Sequence, residues 1–134
     1  MSPTLDDAEK IIKAARAKAT NIGVLVSIAV VDEGAHLVAL CRMDGAAPVT
    51  PAIAEGKAVG AAMFKRDGAA LLAMANDRSA FYNAAIGVAG IRIVPGPGSV
   101  LIKHGGAVVG AVGVSGAKPE QDLECAEAGI SSLE

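Results

Sequence analysis

Two periods of apolar spacing run along this chain. Leu5, Ala8, Ile12, Ala15 and Ala19 step by three and four, the spacing of an apolar stripe on one helix face. Thr4-Leu5-Asp6-Asp7 opens that helix as a variant capping box with two carboxylates at its positive end, and Asn21 and Gly23 close it. Val24 to Val31 is too short and too β-branched for a helix. Asp32-Glu33-Gly34-Ala35 follows as a turn, and His36 to Met43 returns as a second strand. Thr50 as N-cap, Pro51 at the first helical position and Gly68 after Lys65-Arg66 predict a second helix over about 51 to 66. Residues 69 to 89 begin with helical Ala, Leu and Met and then turn polar, which predicts short helical turns. After the apolar run Gly90 to Val94 and the breaker Pro95-Gly96-Pro97-Gly98, strands Ser99 to Lys103 and Ala107 to Val114 flank His104-Gly105-Gly106 as a second hairpin. Leu123, Ala126, Ile130 and Leu133 then repeat at helical spacing behind Pro119. The order predicts an α/β domain of the α+β type, with an antiparallel sheet of about five strands flanked by helices, over residues 1–134.

Composition narrows the function classes. The 134 residues hold twelve basic and fourteen acidic side chains, two Phe, one Tyr and no Trp. There is no basic run and no set of aromatics for stacking on bases, so a nucleic-acid surface is set aside. No apolar run approaches the length of a membrane span, and MSPTLDDAEK lacks the basic start and apolar stretch of a signal peptide. The expected setting is cytoplasmic. Cys41 and Cys125 have no C-x-x-C partner, which leaves a zinc ribbon, a redox pair and covalent haem attachment unsupported and makes both cysteines candidate core residues.

The candidate chemistry is sparse. Gly110 to Gly116 has neither the G-x-G-x-x-G spacing of a dinucleotide loop nor the G-x-S-x-G of a nucleophile elbow. Its glycines would let another backbone or a flat ligand come close, and Ser115-Gly116, leading to the last helix, could offer N–H groups to an anion. Gly56 and Gly60 on one helix face likewise suggest close approach by the sheet or by a neighbouring subunit. With only two histidines, a three-His zinc site is excluded. Strict alternation puts His36, Val38, Leu40 and Arg42 on one face of their strand, with His36 and Arg42 roughly 20 Å apart. His36 is either a ligand or the residue after a turn. Arg42 either pins its loop through Asp44 or Asp32 or faces a carboxylate or propionate, and Lys57 either snorkels to water or points at such an anion.

VVDEGAHLVALCRMDGA, AIAEGKAVGAAMF and GGAVVGAVGVSGAKPEQDLECAEAG together resemble the GlcG/HbpS family of haem-binding-like domains, also found at the C-terminus of PduO proteins. The specific part is the ordered set V-V-D-x-G, R-M-D-G-A, A-x-x-K-A, G-x-x-G-V-S-G-A and a later Q-D. Asp32, Arg42, Asp44, Lys57, Gly113, Ser115, Gly116 and Asp122 fall on motif positions. The resemblance implies a profilin-like fold, a homo-oligomer, and a small molecule or haem as ligand. The expected haem binder uses His36 as axial metal ligand, with Arg42, Ser115 and Gly116 around the cofactor. The alternative is an enzyme acting on a small carboxylate-bearing catabolic intermediate, with His36 or His104 as general base and Arg42 or Lys57 holding the carboxylate.

Overall fold

A computed structural model describes residues 3–90 and 92–134; Ile91, within the expected apolar run, lies outside them. The elements are α1 (Leu5–Ile22), β1 (Ser27–Asp32), β2 (Leu37–Arg42), α2 (Thr50–Phe64), α3 (Gly68–Asp77), α4 (Ser79–Ala89), β3 (Ser99–His104), β4 (Ala107–Ser115) and α5 (Pro119–Ser131). The class is the α+β arrangement expected, but among the described residues the sheet has four strands rather than about five, in the order β2-β1-β4-β3, all antiparallel. Both predicted hairpins form. Among the described residues no helix is long and apolar enough to cross a membrane.

The capping box of α1 is present in both directions: the Thr4 hydroxyl accepts from the Asp7 N–H, and the Asp7 carboxylate accepts from the Thr4 N–H. Its buried stripe is Ala8, Ile11, Ala15 and Ala19, whereas Leu5 is exposed and Ile12 only partly covered. The stripe is therefore rotated from the one read off the sequence, because the neighbour on that side is α5, whose Gly129 rests on Ile11. α1 and α5 cover one face of the sheet through Ile28, Val30, Val112 and Val114, with Cys125 fully buried among them. Cys41, the other candidate core residue, is only half-buried.

Helix α2 covers the opposite face. Thr50 is not its N-cap but its first residue, and its hydroxyl donates to the Ala47 carbonyl while standing 2.8 Å from the Ser27 hydroxyl. Nor does Gly68 stop it. Lys65, in the left-handed region, ends α2, and Gly68 opens α3, where it meets the Gly96 carbonyl too closely for a side chain. The expected short turns over 69 to 89 are thus two full helices, α3 and α4. Gly56 and Gly60 do admit a close neighbour, but it is Val94 and Ile93 with Leu71, not the sheet or another subunit. The sheet contact falls to Gly113, where a methyl group would collide with the Ala54 carbonyl and the Ala58 N–H.

A register shift between Val30 and Val31 pairs Val31 with Leu37 and leaves Val38 as the extra residue of a bulge. Val38 joins the core under α1 and α5, while Leu40 and Arg42 stay exposed. Strict alternation from His36 to Arg42 therefore does not hold. Gly113→Ala tests the seating of α2 directly: overpacking against backbone should cost at least about 2 kcal/mol in urea unfolding, whereas Gly87→Ala, with open space around it, should be neutral or stabilising.

Candidate functional site

The first turn of the opening hairpin is built on one carboxylate. Asp32 Oδ1 accepts from the Gly34 N–H and the His36 N–H, both at 2.9 Å, an Asx arrangement that fixes the turn. His36 Nδ1 stands 3.3 Å from the same oxygen, with 82% of the His36 side chain exposed. The ring lies over Gly34, where a Cβ would meet His36 Cε1 at 2.8 Å. The contact favours the proton on Nδ1 and leaves Nε2 as a free lone pair. The two groups stand at ion-pair distance rather than in an aligned hydrogen bond, so the carboxylate acts on the exposed ring chiefly through its charge.

His36 stands at the rim of a cleft of about 550 Å³ between this turn, α2 and the segment after α4. Val59, Met63 and Gly56 form its apolar wall, and Glu55 and Arg92 bring one charge of each sign. Sequence reasoning had not singled out Arg92: it follows a helix end in a Pro- and Gly-rich stretch, and no periodicity placed it near His36. The only usable signal was its position beside Ile93 and Val94, which Gly56 and Gly60 receive.

The other expected site residues are not brought to this cleft. Arg42 lies at the far end of β2, lines a separate cleft, and donates from Nη1 to the Ala46 carbonyl rather than to Asp44 or Asp32. His104 ends β3 beside α1 and the C-terminus. Ser115 is buried at the end of β4, paired with Ser27, and Gly116 passes close over the Leu25 carbonyl. Both lie in tight packing between strand and loop.

Lys57 neither reaches water nor an external anion. Its Nζ donates to the Val114 carbonyl at 2.9 Å and to Asp122 Oδ2 at 3.2 Å, and both side chains are buried. Asp122 Oδ1 takes the Ala117 N–H. The anion held at the start of α5 is therefore the protein's own. Burial pushes the Asp122 carboxyl above its ordinary range, and the Ala117 N–H and the Lys57 ammonium pull against that shift. Gly98, in the left-handed region, roofs the pair, since a Cβ there would meet Lys57 Nζ at 2.9 Å. The pair joins α2, β4 and α5.

The family model described as "Haem degrading protein HbpS-like" matches residues 4–131. Protein GlcG of Escherichia coli K12 is 38% identical over 109 residues, 81% of this chain and 77% of GlcG. The crystal structure of HbpS superposes with a TM-score of 0.89 at 29% identity, covering 100% of this chain and 92% of that one. The crystal structure of the PduOC:heme complex superposes with a TM-score of 0.88 at 25% identity, covering 98% and 95%.

Lys57→Ala would strand Asp122 as a buried, uncompensated charge and should cost about 3–5 kcal/mol. Thermal and urea unfolding of Lys57→Met/Asp122→Leu should recover most of that loss, which a role confined to packing volume would not produce.

Proposed function

Since this chain belongs to the HbpS-like family, we propose that it binds haem, or a similar flat anionic cofactor, in the His36 cleft. The observation that carries the reading is the Asp32–His36 pair at the mouth of an apolar cleft. Among the described residues no three His, Cys, Asp or Glu side chains converge to hold a bare metal ion. A porphyrin asks less of the protein, because the macrocycle supplies the other donors and one imidazole completes the axial position. The residues present fit that demand. His36 Nε2 would ligate the iron, with Asp32 beside its Nδ1, and Val59 and Met63 would cover one side of the group. Arg92 takes a carboxylate of the cofactor, and Glu55 repels carboxylates from its own side of the cleft. A volume of about 550 Å³ lies within the usual range of cofactor sites. Once bound, haem contributes iron-centred redox and oxygen chemistry that belongs to the group itself.

We propose separately that the protein is a homo-oligomer. Helix α4 carries no charged residue and turns Phe81, Ala84, Ala85 and Val88 outward beside Met63 and Phe64. Val88 is 89% exposed. Contiguous apolar surface of this kind favours association with a second copy over contact with water.

Titration with hemin should give a saturable Soret shift at micromolar protein. His36→Ala should abolish the nitrogen-ligated spectrum, Arg92→Ala should weaken binding by about three- to tenfold, and His104→Ala should leave it unchanged. An identical spectrum and affinity in His36→Ala would overturn the assignment. Light scattering on the native chain should give a mass above 13.3 kDa, reduced toward that value by Val88→Glu; a monomeric native chain would refute the oligomer.

A further inference from the structure

The Arg42 cleft lies at the other end of β2 from His36, and its volume is about 450 Å³. Helix α1 contributes Lys13 and Arg16, three residues apart on one face. The end of β2 contributes Arg42 and the half-buried Cys41, and Asp44 is the one acidic residue at the rim. None of the three cations has a carboxylate within 4.0 Å among the described residues; the ion pairs there are Lys18–Glu124, His36–Asp32 and Lys57–Asp122. Arg42 is also held in place, since its Nη1 donates to the Ala46 carbonyl and leaves the rest of the fork to the cleft. Arg16 is near enough that its charge favours the Cys41 thiolate against the larger effect of burial, which pushes that thiol up.

Three cations around one concavity repel each other over distances that salt only partly screens. An anion relieves that repulsion, and guanidinium forks match the paired oxygens of carboxylate and phosphoryl groups. Ala17 and Met43 line the same cleft and suit a short carbon skeleton. We propose that this cleft is a second binding site, for a small polyanion bearing at least two carboxylate or phosphoryl groups. The site stands apart from the His36 cleft and does not depend on haem binding there.

Cys41 reports on occupancy in the intact protein. Iodoacetamide is uncharged and reacts with the thiolate, and Cys125, fully buried with its thiol pushed up to about 11, stays silent. Alkylation of Cys41 is followed at fixed ionic strength with rising pyrophosphate in one series and rising citrate in another. Either anion should slow the reaction saturably, and Arg16→Ala should weaken that protection by about tenfold or more. His36→Ala should leave protection intact. Preference for pyrophosphate marks a phosphoryl ligand, preference for citrate a polycarboxylate, and equal protection supports the shared chemistry. No saturable protection by either anion, or equal protection in Arg16→Ala, would overturn the site. Hemin affinity is read on the same variants, so a failure here and a failure of haem binding are separable.

Discussion

Helix α2 sits directly on the backbone of β4, and this seating places almost everything else. At Gly113 no side chain separates the strand from the Ala54 carbonyl and the Ala58 N–H. With the helix so close, Lys57 is carried inside the molecule, where its ammonium must find oxygen. It finds the Val114 carbonyl and Asp122. That pair ties α2 to the start of α5 and so joins the helices on the two faces of the sheet. A buried ion pair is weak evidence of net stability, but its three fixed contacts leave few other ways to place α5. The side of α2 turned away from the pair, with Glu55, Val59 and Met63, forms the wall facing His36.

Much of this was legible in the residues, and the failures have physical reasons. The capping box at Thr4, both hairpins, the last helix and the buried Cys125 follow from local chemistry and from period. Helices α3 and α4 read as short helical turns in the sequence because the polar run Asn76-Asp77-Arg78-Ser79 interrupts the apolar pattern, whereas in the fold it is a junction between two full helices. Among the described residues no fifth strand forms; Ile93 and Val94 pack on the glycines of α2 instead. The bulge at Val38 defeated strict alternation, and a bulge has no period of its own. Lys57 and Asp122 are 65 positions apart, so nothing local to either residue reveals the other, although both fall on family motif positions.

The candidate site divides in the same way. Asp32 and His36 are four positions apart, and the turn that joins them is readable in sequence; that the carboxylate which builds the turn also stands against the imidazole is a fact of the fold. Strand spacing already set Arg42 roughly 20 Å from His36, and only the family resemblance placed both around one cofactor. The fold gives each its own cleft, and the cation that shares the His36 cleft is Arg92, from a distant segment. The chain thus carries two concavities with charged side chains in their lining, at opposite ends of one edge strand. The flat cofactor is proposed for the one with apolar walls and a rim imidazole, the compact anion for the one lined by Lys13, Arg16 and Arg42.

The central claim is that Asp32 holds His36 with its proton on Nδ1 and its Nε2 free to bind a metal. Long-range proton–nitrogen NMR of the imidazole, at a pH well above its ordinary value of about 6.5, reads the tautomer directly. The account predicts a ring protonated mainly at Nδ1 in the native chain, reverting toward protonation at Nε2 in Asp32→Ala. A native His36 protonated mainly at Nε2, or a tautomer indifferent to the loss of Asp32, would contradict it.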